Sequence, residues 1–295
     1  KLYNCGIMTL SQIVRGGHSY MLTNKEIRST AREYLRGNYK MAVVNLILIT
    51  IANSVMQSVV RTLTGESALN MQMTGETLPN WDSVFSMQSS PFQTTLNVVL
   101  SIIVALIIGS MQMGNEWGYL DMLDGTPLSS GHLLKPFENQ LFKTLGVLVL
   151  QAVYVILWSV LLIIPGIMKL YALALSNFIY FDNPDMKTTD ILRQSEAFMK
   201  GKKMRLFQLD LTYFVVYLIP VVLFFGVGIA AFNIYAGATT ADSDALLYQA
   251  LLLVGLMLAA FAIFGILTFI VEPRRKAARA VFYSEVLKEE NLIIG

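Results

Sequence analysis

An all-α integral membrane fold with six transmembrane helices is what this chain predicts, and three observations carry it. Only 14% of the 295 residues are charged and 55% are hydrophobic, where a soluble domain carries about 25% charged residues. The apolar residues are blocked into runs of about 20, the length a helix needs to cross a ~30 Å hydrocarbon layer. Most of the Lys and Arg residues, 22 in all, fall in four short stretches between those runs (residues 25–40, 135–143, 187–205 and 274–288). Cytoplasmic segments collect basic residues, so this pattern predicts orientation as well as span number.

The same composition excludes other classes. The net charge of +2 is not gathered on a soluble basic face, which a nucleic-acid reading would need. The single cysteine, Cys5, excludes an internal disulfide framework and a Cys-based metal site. Two histidines, His18 and His132, are too few and too isolated for a zinc motif. No metal and no cofactor is expected. Nor does the chain carry a Walker motif, a GxGxxG after a strand, a GxSxG or an HExxH, so the sequence offers no enzyme chemistry.

The first twenty residues lack helical or strand pattern. Arg15-Gly16-Gly17 reads as an in-frame ribosome-binding site followed by Met21, so Lys1–Tyr20 is expected to be an over-translated leader and residues 21–290 a single six-span domain. Thr23 and Glu26 form a capping box, and Leu22 with Ile27 a hydrophobic staple. They open an amphipathic helix that Gly37 is placed to stop. Lys25, Arg28, Arg32 and Arg36 share one stripe of it, and Ile27, Ala31, Tyr34 and Leu35 the opposite side, the pattern of a helix lying in the membrane surface.

The first span is predicted over Met41–Val60, with Asn45, Asn53 and Gln57 facing other helices. A polar external loop follows from Arg61 to Pro91. The second span, Phe92–Gly118, carries Ser101, Ala105 and Gly109 as a small-residue stripe. An inner connection, Asp121–Asn139, leads to the third span, Leu141–Ile164. Pro165-Gly166 is expected to break the helix; a plain hairpin turn and a cavity-lining broken helix both fit. The fourth span, Ile167–Phe181, ends at Asp182-Asn183-Pro184. Thr188–Lys200 forms a second amphipathic helix, with Ile191, Leu192, Ser195, Phe198 and Met199 on one face and Gly201 at its end. The fifth span, Leu206–Tyr235, is long enough to kink at Pro220 or Gly226-Val227-Gly228. Asp242 and Asp244 mark a small external loop. The sixth span, Ala245–Val271, is expected to stop at Glu272-Pro273 before a last amphipathic helix. Both termini are then cytoplasmic.

Two matches at one offset suggest an internal parallel repeat of spans one and two in spans five and six. Leu35-Arg36-Gly37 pairs with Met199-Lys200-Gly201, and Tyr119–Leu123 pairs with Tyr283–Leu287.

Several stretches together resemble a bacterial family: Trp158–Lys169, Asp182-Asn183-Pro184-Asp185, Ser195–Gly201 with Lys203, Ala277–Tyr283, and Leu35–Tyr39. They are similar to the domain of unknown function 975 family, multi-pass membrane proteins. The resemblance implies a fold and a bacterial cell membrane, and no assigned activity.

Ionisable residues inside spans are functional candidates, because charge in lipid is expensive. Asp210 could bind a cation, relay a proton or pair with a basic neighbour at the inner surface. Glu116 could face inward or sit at the interface. Lys169 is expected near the outer surface, snorkelling to headgroups. With Asn45 these residues form the expected substrate or ion pathway. The expected function is non-enzymatic, permease-like handling of a small or amphipathic molecule. The alternative is a membrane scaffold or accessory protein in envelope homeostasis or peptide immunity. Anionic membrane lipids are the expected partners of the basic helices.

Overall fold

The computed structural model describes residues 21–64, 90–138, 140–237 and 243–294. The leader Lys1–Tyr20, most of the external loop after Arg61, and Asp242 lie outside these residues. Every regular element among the described residues is helical, and six helices are long and apolar enough to cross a membrane.

Helix α1 runs without interruption over Asn24–Thr64. The Thr23–Glu26 capping box opens it: the Thr23 backbone N–H donates to Glu26 Oε2 at 2.7 Å, and Glu26 N–H donates to Thr23 Oγ1 at 3.4 Å. Gly37 does not stop the helix, contrary to expectation. The buried positions Ile27, Ala31, Leu35, Ala42, Asn45 and Ile49 recur three, four or seven residues apart across Gly37, so one continuous face is covered. That burial outweighs the ~1 kcal/mol a helical glycine costs. The surface helix and the first span are therefore one rod.

Helix α2 covers Pro91–Leu123, opened by a Ser90/Gln93 capping box. The expected small-residue stripe is not its contact face, since Ala105 is exposed. Gly114 and Gly118 make the close approach instead. A Cβ at Gly114 would strike the His132 carbonyl and the Pro136 ring, and one at Gly118 would strike Leu128 and the His132 ring. The two glycines seat the connection 128–136 against α2, with a 3-10 turn at Ser130–Leu133.

Helices α3 (Leu141–Leu161) and α4 (Ile163–Ala172) form a tight hairpin. The break falls at Leu162, whose backbone is extended (φ −159°, ψ 142°), and not at Pro165-Gly166. Proline is tolerated in a helix's first turn, which is where Pro165 stands. Gly166 serves the crossing: a Cβ there would collide with the side chain and Cα of Ser159. The fourth span starts four residues earlier than expected and is divided, because residues 173–175 form a turn before α5 (Ser176–Asp182).

Helix α6 (Thr188–Phe198) buries the expected face through Ile191, Leu192 and Ser195, with Met199 just beyond. It ends at Gly201, which is left-handed with φ +78°. Helix α7 (Lys203–Phe214) passes through a 3-10 turn, Val215–Tyr217, into α8 (Leu218–Gly237). The irregularity lies one turn before Pro220, where the ring meets the preceding carbonyl. The glycines at 226 and 228 leave α8 unbroken.

Helix α9 runs for 52 residues, Ser243–Ile294, straight through Pro273. Glu272-Pro273 therefore does not end the last span. Pro273 leaves the carbonyl of residue 269 without its intrahelical donor. The hydroxyl of Tyr39, from α1, donates to that Phe269 oxygen at 3.2 Å. The expected repeat is only partly visible: Asn24 and Thr188 open helices 164 residues apart, but Gly201 ends its helix and Gly37 does not.

One main core gathers at the basic end of the bundle, from all of α1, α2, α5, α6, α7 and α9. Helix α1 packs on α2 and α9 there. Towards the far end the helices separate into three hairpins. Helix α8 packs chiefly on α9, where Val227 and Ala260 are buried and Phe224 is edge-on to Phe261 at 4.7 Å. The α1–α2 pair keeps its own small cluster around Ile49, Val60, Val104 and Ile108. On α3–α4, Val160 is 79% and Ile163 77% exposed. Apolar residues exposed on several sides are what lipid-facing helices present.

Two outcomes follow. Tyr39→Phe lowers stability by about 1 kcal/mol in the native chain, but by clearly less in a Pro273→Ala background, where Phe269 regains a helical donor; a double-mutant cycle of thermal unfolding in detergent reads the coupling. Gly166→Val costs about 1–3 kcal/mol through overpacking, while Gly226→Ala, which meets open space, stays within about 1 kcal/mol of the native chain.

Candidate functional site

Asp210 sits on the buried face of α7 beside Leu206 and Leu209 and is fully covered. A bare carboxylate there would be untenable. Arg279 of α9 supplies a two-pronged partner: Nε donates to Oδ1 at 3.1 Å and Nη2 to Oδ2 at 2.5 Å. Planar guanidinium matches carboxylate in this way, which adds geometric specificity to charge. Arg275, one helical turn away and so on the same face, comes within 3.9 Å of Asp210. It donates to both oxygens of Glu272 at 3.2 and 2.8 Å, and lies over the Phe214 ring at 5.5 Å.

Glu116 enters the same cluster from α2. Its Oε2 accepts from Asn177 Nδ2 at 2.8 Å, and its charge reaches Lys276 and Arg279. Asn177 also accepts from Trp117 Nε1 at 2.9 Å through its backbone oxygen, and from Gln151 at 3.3 Å through its side chain. Three carboxylates (Glu116, Asp210, Glu272) thus face three cations (Arg275, Lys276, Arg279). The formal charges cancel, and Asp210 is the one fully buried among them.

Asn45 is fully buried but belongs to a different arrangement. Its Nδ2 donates to Asn115 Oδ1 and to the Ser129 carbonyl, both at 3.2 Å, tying α1 to α2 and to the inner connection. Asn38 accepts from Leu128 N–H at 3.0 Å. Below them, His132 Nδ1 accepts from the Ser129 backbone N–H at 3.1 Å. The same Nδ1 lies 3.0 Å from the Ser129 carbonyl oxygen, and Nε2 lies 3.0 Å from Asp121 Oδ2. Lys135 donates to the same carboxylate oxygen at 2.6 Å. These contacts lock the connection to the end of α2.

Lys169 is not a headgroup-seeking outer residue. It pairs with Glu196 of α6 and lies 4.7 Å from the Tyr154 ring centre and 6.0 Å from that of Trp158. The carboxylate that neutralises it sits 27 residues later, which explains why a span-by-span reading sent it to the wrong surface. Pro165 and Gly166 shape the α3–α4 crossing and touch none of these charges.

Of the sequence-derived candidates, the fold brings Asp210 and Glu116 into one cluster and leaves Asn45 and Lys169 in separate contacts. Sequence reasoning missed the partners Arg275, Lys276 and Arg279. Their spacing was a usable signal, since residues 275 and 279 fall on one face of the last helix. Two shallow grooves lie elsewhere, one lined by Phe224, Phe225, Gly228, Ile229 and Phe232, the other by Val55, Ser58, Val59, Thr62 and Leu63. Among the described residues no group of His, Cys, Asp or Glu is placed to hold a metal ion.

Residues 160–290 match the family described as protein of unknown function (DUF975), in agreement with the resemblance read from the sequence. The matched stretch contains Lys169, Asp210, Arg275 and Arg279; Asn45 and Glu116 precede it. No curated protein and no solved structure matches the chain.

The ion pair makes a direct prediction. Asp210→Ala strands Arg279 and lowers stability by about 3 kcal/mol, the lower end for breaking a buried pair, because Arg279 keeps 21% side-chain exposure. Asp210→Leu with Arg279→Met recovers most of that loss. Thermal unfolding of the three proteins in one detergent tests this, and equal losses in the single and double variants would contradict it.

Proposed function

We propose that this chain, whose residues 160–290 belong to the domain of unknown function 975 family, is a non-enzymatic, permease-like protein of the bacterial cytoplasmic membrane. It handles a small or amphipathic molecule, with both termini in the cytoplasm. The observation that carries this reading is the way three hairpins share a charged base and part above it. An amphipathic molecule needs apolar space open to lipid and a polar station at one end. The lipid-exposed faces of α3–α4 and α8–α9 supply the first, and the balanced cluster around Asp210 the second. Charge inside a membrane bundle is costly, which makes it a candidate for a functional pathway.

The scaffold reading has its own support. The cluster's carboxylates are already engaged by guanidinium and amide groups, and neither of the two grooves reaches it. A protein that only binds lipid or partner helices would need no more.

A short-chain fluorescent phospholipid in proteoliposomes separates the two. Quenching from outside is expected to proceed faster with the protein than in protein-free vesicles, and Asp210→Asn is expected to slow it at least several-fold. A rate equal to protein-free vesicles sinks the permease reading and leaves the scaffold. Orientation is checked by single cysteines at Ser90 and Lys200 in a chain lacking Cys5. Ser90→Cys should label from outside the cell and Lys200→Cys only after permeabilisation; the reverse pattern inverts the topology.

A further inference from the structure

The α3–α4 hairpin stands lower than its neighbours when heights are taken from a common floor. Asn177 of α5 supplies that floor. Its side chain donates to Glu116 of α2 at 2.8 Å and accepts from Gln151 of α3 at 3.3 Å, so Glu116 and Gln151 stand at one level. The Asn45–Asn115 hydrogen bond brings α1 to the same level. Beyond it, α2 continues for 25 residues from Glu116 to Pro91 and α1 for 19 from Asn45 to Thr64, about 38 and 28 Å of rise. Helix α3 continues for only 10 residues, from Gln151 to Leu161, about 15 Å. Residues 41–60 and 92–115 carry no charged side chain, so the ~30 Å hydrocarbon layer begins just beyond Glu116 and reaches the far ends of α1 and α2. The hairpin tip then falls near its middle. Lowering the layer until it took in all 21 residues of α3 would drag Glu116, Asp121 and Lys135 into hydrocarbon, which is expensive.

The tip has the chemistry of that place. Val160 to Ile164 are five aliphatic residues in a row, each at least 66% exposed. A turn that emerges into water collects Gly, Asn, Asp and Ser instead, and the sequence between α8 and α9 is of that polar kind, with Thr239, Thr240, Asp242, Ser243 and Asp244. Irregular backbone is costly in hydrocarbon, and this turn keeps it short. Leu162 alone leaves helical geometry. Its N–H donates to the Trp158 carbonyl, and its carbonyl accepts from Gly166 N–H, both at 3.2 Å. Pro165 has no N–H to satisfy. Lys169, seven residues past the turn, is thereby returned to the floor, where Glu196 of α6 meets it.

We propose that α3–α4 is a re-entrant hairpin: it enters the bilayer from the basic side, turns at Leu162 near the midplane and returns, so that its tip is an interaction surface for the ends of lipid acyl chains. All six helices remain in the membrane; four cross it completely, and these two occupy one leaflet. The hairpin's placement depends on neither transport nor orientation, because a tip at the midplane is equally far from both surfaces. Its failure is therefore separate from failure of the proposed function.

The test uses the full chain lacking Cys5, with single cysteines at exposed positions. Cells carrying Ile163→Cys or Ser90→Cys are treated with a membrane-impermeant maleimide, intact and permeabilised. Ser90→Cys should label in permeabilised cells. Ile163→Cys should stay unlabelled in both preparations and react fully once the protein is denatured. Depth is then measured on purified protein in phosphatidylcholine–phosphatidylglycerol vesicles, with nitroxides attached at Ile156→Cys and Ile163→Cys. Collision with oxygen relative to a polar nickel chelate should place residue 163 about 8 Å deeper than residue 156, the rise left between Ile156 and the turn. A hairpin that crosses completely gives the opposite order, with residue 156 midway and residue 163 at the far surface. Labelling of Ile163→Cys before denaturation, or a shallower reading at 163 than at 156, overturns the proposal.

Discussion

The two-pronged contact between Asp210 and Arg279 is the interaction on which the basic end depends. A carboxylate with no exposed surface can stay ionised only if something cancels its charge and fills its lone pairs. Arg279 does both, and in doing so fixes α7 against α9 at one register. The remaining contacts follow from that register. Arg275 is brought over the Phe214 ring of α7 and within 3.9 Å of Asp210. A membrane bundle gains little from hiding apolar side chains from lipid, which is as apolar as they are. Polar and packing contacts must therefore decide which helices touch, and here they are concentrated at one end.

This concentration accounts for the uneven architecture. Where polar groups are available the helices form a common core; where they run out, each hairpin keeps only its own seam. Trp117, Asn177, Gln151 and Glu116 join α2, α3 and α5 by hydrogen bonds in the base. No comparable set joins α8 to α3 or α1 among the described residues. Regions with few buried contacts are the ones expected to move most easily, so the far halves of the hairpins are the pliable part of the molecule.

Much of this was readable from the chain. Six spans and the intramembrane positions of Asp210 and Glu116 were legible because charge inside an apolar run is visible without a structure. The errors came from punctuation residues. Gly37 and Pro273 read locally as stops, yet both lie inside continuous helices. At Gly37 the reason is an unbroken buried face from Ile27 to Ile49; at Pro273 it is the hydroxyl of Tyr39, which caps the Phe269 carbonyl from 230 residues away. Neither is a local property. Lys169 was misplaced for the same reason, since Glu196 could be paired with it only after folding. Gly166 was read with Pro165 as a helix break, whereas its lack of a side chain is what the structure uses.

The unbroken passage of α9 through Pro273 has a mechanical consequence. At 52 residues the helix is about 78 Å long, more than twice the ~30 Å hydrocarbon thickness. One arm therefore lies among the acyl chains while the other reaches into the aqueous layer. The Tyr39 hydroxyl grips it between the two arms and acts as a fulcrum. A stiff rod held in this way transmits tilt: any change in bilayer thickness or lateral pressure that swings the greasy arm must swing the polar arm as well, carrying Glu285, Glu289 and Glu290 with it.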